Sequence, residues 1–211
     1  MRRVFITGGA HGIGEAIVEA FVRAGDQVAF CDINIERGEE VSKRTGARFF
    51  ALDVCDKEAL EAAMQTILKE WDDIDVLINN AGMGIGGCIE LATDEEIDIQ
   101  MDTNFRGMSN VCQCVLPGMR KQRSGKIINI SSIGGVMGLP YQGYYSASKF
   151  AIEGYSEALA AEVRGMGIKV VVVEPGDFAT NFTENRKNSS LTLNNDDYNI
   201  SFDRSLKIIE K

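Results

Sequence analysis

Residues 4–14, VFITGGAHGIG, decide the fold of this chain. An apolar run ends in a turn with glycines at positions 8, 12 and 14, and an amphipathic helical pattern follows the turn. Glycine lets a backbone approach a phosphate group closely, and the first turn of a helix offers free N–H donors. The stretch therefore predicts a strand, a pyrophosphate-binding turn and a helix. The alternative is a turn that is rich in glycine without binding a ligand.

Further short apolar runs alternate with longer helical patterns along the chain. Because each run is apolar on successive residues, we expect both faces of every strand to be buried, as in a parallel sheet with helices on both sides. The predicted strands span residues 4–6, 28–31, 49–52, 76–78, 127–130 and 170–173, and the predicted helices span 13–25, 35–45, 57–71, 94–121, 143–165 and 199–210. This order predicts an α/β fold with one doubly wound parallel sheet, in a single domain over residues 1–211.

Composition excludes several classes of partner. The chain has 211 residues, of which 45% are hydrophobic and 25% charged, as is usual for a globular protein. A formal net charge of -9 argues against nucleic acid or an anionic membrane as a partner. We expect a cytoplasmic protein, since no apolar run is long enough to span a bilayer or to act as a signal peptide. Five cysteines without a C-x-x-C pair, and a single histidine, predict reduced thiols and no metal site.

An acidic residue follows the second predicted strand. Asp32 lies 18 residues past Gly14, where a carboxylate can accept a hydrogen bond from the ribose 2'-hydroxyl of NAD and repel the 2'-phosphate of NADP. The sequence therefore favours NAD over NADP, although His11 and Arg37 are nearby cations. Alternatively, Asp32 could cap the helix that begins at Ile35. The glycines are not followed by G-K-[ST], which argues against a P-loop nucleotide hydrolase.

Tyr145 and Lys149 stand four residues apart at the start of a predicted helix. This spacing places the phenol and the ammonium group on one helix face, where the cation can stabilise a phenolate. A Y-x-x-x-K pair is common by chance, and a solvated helix face is the alternative interpretation.

The ordered set of motifs resembles the short-chain dehydrogenase/reductase family over residues 2–182. Each motif alone is common, whereas the combination in this order is specific. The resemblance implies a Rossmann-type sheet of six or seven strands. The motifs on which the resemblance rests are the loop at 8–14, Asp32, Asp53-Val54, Asn79-Asn80-Ala81-Gly82, Asn104, Ser132, Tyr145, Lys149 and Pro175-Gly176.

The resemblance implies a role for each catalytic residue. Tyr145 is the expected general acid/base, with a pKa lowered by Lys149 and by the oxidised nicotinamide ring. Lys149 also bonds the nicotinamide ribose. Ser132 orients the substrate oxygen, with Ser131 as its competitor in sequence. The backbone of Asn104 helps to hold a water molecule near the lysine; otherwise this asparagine only marks a kink in a long helix.

The resemblance also implies the contacts with the cofactor. Asp53 and Val54 are expected at the adenine, unless Asp53 caps a turn. Thr180 is expected at the carboxamide. The remaining cofactor-binding positions, besides Asp32, Tyr145 and Lys149, are Gly8, His11, Gly12, Ile13, Gly14, Asn80, Ala81, Gly82, Pro175 and Gly176.

The implied reaction is reversible hydride transfer between a nicotinamide cofactor and a secondary alcohol or ketone. Residues 83–93, 133–142 and 177–197 are expected to wall the substrate pocket, beyond the carboxyl ends of the strands. Their apolar side chains indicate a hydrophobic alcohol or ketone, with a weak likeness to family members that act on steroids and retinoids. An NADPH-dependent carbonyl reductase and a non-catalytic nucleotide-binding sensor are the alternatives. The apolar set is Met83, Ile85, Ile133, Val136, Met137, Leu139 and Phe178.

The last part of the chain carries three further expectations. Residues 183–199 are rich in Asn, Ser and Asp, so we expect a mobile substrate loop over 177–198 without core residues. Most family members continue past a helix such as 200–209 into another strand, so the C-terminal strand of the sheet is expected to be missing. Helices near 94–121 and 143–165 resemble the family's dimer interface, which implies a homodimer and leaves a tetramer open.

Overall fold

Parallel strands form the centre of the molecule. The computed structural model describes residues 1–176 and 186–209. The main strands are β1 (Arg3–Thr7), β2 (Gln27–Asp32), β3 (Arg48–Ala51), β4 (Val76–Asn79), β6 (Gly125–Ile130) and β7 (Ile168–Val173); β5 (Ile85–Gly86) and β8 (Lys187–Asn188) are two residues each. The main sheet has six strands in the order β3-β2-β1-β4-β6-β7, all parallel, and β5 pairs with β8 separately. The predicted doubly wound α/β fold is confirmed.

Helices connect the strands and cover the sheet. The helices are α1 (Gly12–Arg23), α2 (Ile35–Thr45), α3 (Lys57–Trp71), α4 (Asp94–Met101), α5 (Gly107–Gln122), α6 (Gly143–Val163), α7 (Ser190–Leu193) and α8 (Asn199–Ile209). The predicted helices at 35–45 and 57–71 have the bounds seen in the structure. The predicted helix at 94–121 is confirmed as one continuous run, in which a π-helical turn at Asp102–Arg106 joins α4 to α5.

Alternation along the strands divides the apolar side chains between two layers. On β1, Phe5 points into the larger core together with side chains of α3, α5 and α6. Val4 and Ile6 point to the opposite face, where Val18 of α1 and Val41 of α2 are buried. The site side chains lie where the carboxyl ends of the strands meet the helices that follow them.

Strand β7 departs from the expectation that both faces of every strand are buried. Val171 and Val173 are 41% and 42% exposed, and an apolar groove of about 480 Å³ runs between Ile17, Ile130 and Val173. The prediction is wrong here because the described helices on this face leave β7 uncovered. An unbroken run of β-branched residues has strand propensity even where one face lies open.

Part of the segment predicted as a polar loop has regular structure. Residues 186–198 contain β8 and α7, and Ser189 and Thr192 are buried. The Thr192 hydroxyl accepts a hydrogen bond from the Cys88 backbone N–H at 3.0 Å. The expectation that this segment contains no core residues is therefore wrong in its described part, because polar side chains are buried there through hydrogen bonds.

The described residues contain neither a membrane-spanning helix nor a metal-binding cluster. None of the helices in residues 1–176 and 186–209 is both long and apolar enough to cross a membrane. The same residues contain no cluster of three His, Cys, Asp or Glu side chains that could hold a metal ion. All five cysteines are unpaired.

We expect Gly38→Ala to destabilise the fold by about 1–2 kcal/mol, although alanine favours helices. A Cβ atom at Gly38 would lie 2.2 Å from the Phe49 ring, which packs on Phe30 with a centroid distance of 5.2 Å. Urea unfolding measures the change. Glu39→Ala, an exposed neighbour on α2, is the control and should change the stability by less than about 0.5 kcal/mol. Equal midpoints for the two variants would contradict the packing argument.

Candidate active site

The turn between β1 and α1 has room only for glycine at two positions. Gly8 has a φ of 65°, in the left-handed region, and a Cβ at Gly14 would lie 1.9 Å from the Gly8 carbonyl oxygen. Helix α1 begins at Gly12, and the side chain of the N-cap residue, His11, does not bond the first turn. The free N–H groups of that turn are therefore available to an anion, as the sequence predicts.

Hydrogen bonds join this turn to the end of β4. The Thr7 hydroxyl oxygen accepts from the backbone N–H groups of Asn80 and Ala81, each at 3.0 Å. The Asn80 side-chain amide donates to the carbonyl oxygens of Thr7 and Gly8 at 3.1 and 2.9 Å. We name these four bonds the Thr7–Asn80 junction. It brings three predicted cofactor-binding residues, Gly8, Asn80 and Ala81, into one contiguous surface.

The Asp32 carboxylate also faces the glycine turn. One oxygen accepts from the Ala10 N–H at 3.0 Å, and the other accepts from the Asn34 N–H at 3.0 Å. Asn34, and not Asp32, is the N-cap of α2, since its side chain accepts from the Arg37 N–H. The capping alternative for Asp32 is therefore wrong. The carboxylate stands beside the predicted pyrophosphate turn, where a ribose hydroxyl could bind it.

The other predicted cofactor-binding residues differ in their burial and in their contacts. Asp53 is exposed and accepts a hydrogen bond from the Cys55 N–H at 2.9 Å, which is the turn-capping alternative. Val54 is buried, and its side chain packs against Gly107 at the start of α5. Thr180 lies outside the described residues. Ile13, Pro175 and Gly176 line the apolar groove beside β7.

Tyr145 and Lys149 share one face of α6, and that face is buried. Tyr145 is 6% exposed and Lys149 is 5% exposed, so the alternative of a solvated helix face is wrong. The Lys149 ammonium nitrogen lies 5.8 Å from the centre of the Tyr145 ring and donates to the Ile130 carbonyl oxygen at 2.9 Å. That carbonyl group ends β6, so the strand fixes the position of the ammonium group.

Ser132 lies beside Tyr145, which distinguishes it from Ser131. Its hydroxyl oxygen accepts from the Gly134 N–H at 3.1 Å. Burial raises the pKa of Tyr145, and the neighbouring Ser132 hydroxyl opposes that rise. The Ser131 hydroxyl is buried without a hydrogen-bond partner among the described residues. The structure thus brings together Ser132, Tyr145 and Lys149.

Burial shifts the pKa values of both titrating groups toward their neutral forms. It raises the pKa of Tyr145 above its usual 10.0, and the bond from Ser132 offsets the rise only in part. It lowers the pKa of Lys149 from 10.5 to about 8, opposed by the charge of Glu153. Desolvation is the largest effect on the pKa of Tyr145 in this structure, and the lowering expected from Lys149 together with the nicotinamide ring stays a prediction.

Asn104 lies in the π-helical turn and is 1% exposed. Its side chain accepts from the Met83 N–H at 2.8 Å and donates to the Met83 carbonyl oxygen at 3.0 Å and to the Ser148 hydroxyl at 2.9 Å. Ser148 in turn donates to the Tyr145 carbonyl oxygen at 2.7 Å. A π turn inside a helix often marks a functional position, and here it aims an amide at the helix that carries the tyrosine.

Three residues that support the candidate site were not identified from the sequence. Thr7 anchors the glycine turn, Ser148 links Asn104 to Tyr145, and Gln100 bonds the backbone of Met83 and Ile85, each at 2.8 Å. Gln100 and Asn104 are buried polar residues four apart, a spacing that places them on one helix face. That pairing is the signal that could have identified Gln100; Thr7 and Ser148 carry no such pattern.

Exposed apolar side chains follow Ser132 in the chain, beside Tyr145 and Lys149. Ile133, Val136 and Met137 follow Ser132 and are 42%, 54% and 52% exposed. Phe178, which sequence analysis placed in the same wall, lies outside the described residues. Exposed apolar side chains beside a buried proton donor suit a substrate with a hydrocarbon part.

The residues present fit a nicotinamide dinucleotide. The cradle at Gly8 and Gly14 would be filled by a Cβ atom, the Asp32 carboxylate stands beside it, and Gly82 brings its backbone within reach of the Lys149 ammonium group. A Cβ at Gly82 would lie 3.6 Å from that nitrogen. The bound group would thus extend from the first turn of α1 to the Tyr145–Lys149 face.

Residues 2–190 match the family model described as short chain dehydrogenase. The chain belongs to this family. It is 54% identical over 208 residues to a 3-ketodihydrosphingosine reductase of Bacteroides thetaiotaomicron, covering 99% of this chain and 76% of that protein. As an oxidoreductase of the short-chain dehydrogenase family, it uses NAD or NADP.

Solved structures show the same fold. A short-chain dehydrogenase from Streptomyces avermitilis superposes with a TM-score of 0.89 at 34% identity, covering 99% of this chain and 79% of that one. The structure titled ElxO with NADP bound gives a TM-score of 0.81 at 31% identity, over 85% of this chain and 75% of that one.

The buried ammonium group predicts how stability depends on pH. Because the pKa of Lys149 is about 8 in the folded chain and near 10.5 in the unfolded chain, the unfolded state binds more protons between these values. Burial of the charged form destabilises the fold fully below pH 8, and this penalty falls as the pH rises. From pH 7 to pH 9.5, the free energy of unfolding should therefore rise by about 2 kcal/mol more in the wild type than in Lys149→Met.

Urea unfolding of both proteins at the two pH values measures this difference. Titration of other groups, such as the buried cysteines, affects both proteins alike and cancels. Parallel pH dependences would contradict the lowered pKa of Lys149.

Proposed function

We propose that this enzyme reduces the ketone of a long-chain amino-alcohol substrate to a secondary alcohol. The observation that carries the proposal is the buried Ser132–Tyr145–Lys149 arrangement beside the glycine cradle. A buried phenol that bonds a neighbouring hydroxyl can place a proton on a ketone oxygen. A non-catalytic sensor would need only the cradle, so the trio argues against that alternative.

Each residue of the trio has a distinct task in the proposed reaction. The cofactor, when bound, supplies the hydride for the carbonyl carbon. Ser132 donates a hydrogen bond to the ketone oxygen and holds it beside Tyr145. Tyr145 gives its proton to that oxygen as the C–O group becomes an alcohol. Lys149, fixed by the Ile130 carbonyl oxygen, stabilises the phenolate that remains.

The proposed substrate class rests on two observations. The relative from Bacteroides thetaiotaomicron is named for a ketone at position 3 of a long-chain amino alcohol, and the identity extends over 99% of this chain. The exposed side chains of Ile133, Val136 and Met137 can receive an alkyl chain. We therefore propose 3-ketodihydrosphingosine as the first substrate to test, ahead of a steroid or retinoid.

We propose NADH as the preferred cofactor because of the position of Asp32. Its carboxylate accepts from Ala10 and Asn34, so it is held where it would face the 2' position of the adenosine ribose. The second candidate is NADPH, which the structural neighbour titled ElxO with NADP bound favours. Titration with both cofactors distinguishes the two, and Asp32→Ala should reduce any preference for NADH by about tenfold or more.

We also propose a homodimer that pairs α5 and α6 with their symmetry mates. Phe150 is 46% exposed on α6, where a second copy could bury it. Sedimentation of the purified chain measures the assembly, and a concentration-independent monomer would contradict the proposal.

Tyr145→Phe should lower kcat for 3-ketodihydrosphingosine reduction at least about 1000-fold, because the phenylalanine ring carries no proton donor. The dissociation constant for the cofactor should change less than about threefold. Tyr155→Phe, ten residues along the same helix, removes a hydroxyl outside the site and is the control. Stopped-flow absorbance of the nicotinamide measures turnover. Full turnover by Tyr145→Phe would overturn the assignment of the proton donor.

A further inference from the structure

Five charged side chains form a cluster between α1 and α2. The Arg37 guanidinium bonds the Glu15 carboxylate at 2.9 Å and also pairs with Glu40. The Arg44 guanidinium bonds the other oxygen of Glu15 at 2.5 Å and pairs with Glu19. Glu15 is therefore the carboxylate that both arginines share. We name these side chains the α1–α2 ion-pair cluster.

The cluster adjoins the proposed ribose site. Glu15 directly follows Gly14, the third glycine of the cradle. Arg37 is connected to Asp32 by two hydrogen bonds, because its backbone N–H donates to the Asn34 side chain at 3.1 Å and the Asn34 N–H donates to Asp32. Arg37 is also the first basic residue after Asp32 in the chain. A 2'-phosphate placed near Asp32 would therefore meet Arg37 before any later cation of α2.

Arginine is the side chain best suited to bind that phosphate, through two parallel N–H donors. Here those donors are already engaged by carboxylates, and the pair with Glu15 is partly shielded, since the Arg37 and Glu15 side chains are 35% and 20% exposed. Glu40 is 56% exposed, so its pairing with Arg37 is weaker. The structure thus holds a phosphate-binding group on the helix that follows Asp32 but keeps it occupied by carboxylates.

We propose that Glu15 is a specificity-determining residue that withholds Arg37 from a cofactor 2'-phosphate. Asp32 repels the phosphate directly, and Glu15 removes the cation that would otherwise attract it. The inference rests on the proposed function in one respect, namely that the glycine cradle binds a nicotinamide dinucleotide. It predicts that Glu15 contributes to cofactor choice although it need not touch the cofactor.

Cofactor binding by charge-matched variants tests this role. In an Asp32→Ala background, Glu15→Gln should tighten NADPH binding about tenfold and leave NADH binding within about threefold. The control is Glu19→Gln, which removes the same charge one helical turn along α1. Glu19 pairs with Arg44 and Arg23 but not with Arg37, so its loss should change neither affinity by more than about threefold.

Arg37→Ala provides the decisive third change. Added to Asp32→Ala/Glu15→Gln, it should abolish the gain in NADPH affinity, because the freed guanidinium is then absent. Nicotinamide fluorescence titration gives the dissociation constants without turnover. Repetition at high salt should reduce the gain, since the attraction is electrostatic and partly screened.

The outcomes separate the inference from the proposed function. If NADH and NADPH both bind but Glu15→Gln behaves like Glu19→Gln, the role of Glu15 is overturned and the proposed function stands. A gain that survives Arg37→Ala would equally overturn the role of Glu15. If the wild type and every variant bind neither dinucleotide, the proposed function is overturned, and the inference with it.

Discussion

The Thr7–Asn80 junction is the interaction on which the rest of the site depends. It fixes the glycine turn after β1 against the backbone that leaves β4, through four hydrogen bonds. The same backbone continues to Gly82 and Met83, which approach Lys149 and Asn104. Two regions that are far apart in sequence, one suited to a pyrophosphate and one to a proton transfer, thereby become a single surface. Since Thr7 is 2% exposed, little water competes for these bonds.

The sequence was sufficient for the sheet and for the prediction that Ser132, Tyr145 and Lys149 lie together, because both depend on local patterns. Apolar runs of three or four residues, glycine spacing and the Tyr145–Lys149 interval each have a direct physical meaning. The predicted bounds of α2 and α3 match the structure, where the side chains of the N-cap residues Asn34 and Asp56 bond the first turns. Ser132 was preferred to Ser131 by its interval from Tyr145, and the structure places it at the phenol.

What the sequence could not supply depends on contacts between distant segments. The π turn at Asn104 leaves no mark in hydrophobic periodicity, and the open face of β7 follows from what packs there and not from its own residues. The burial that raises the pKa of Tyr145 was not visible in the sequence either, because a helical spacing shows a charged neighbour but not the degree of burial. The buried polar residues of the segment at 186–198 were predicted to be loop residues because their burial, too, is not visible in the sequence.

The π turn also constrains how this protein can vary. It makes room for one residue more than an α-helical path would hold, and each residue of a helix rotates by about 100°. Deletion of a single residue between 102 and 106 could restore a regular helix while the apolar face of α5 realigned with the core. Asn104 would then turn away from Ser148 and Met83. Such a change would leave buried polar groups of Met83 and Ser148 without their partner, so the length of this helix is tied to the position of the tyrosine that it supports.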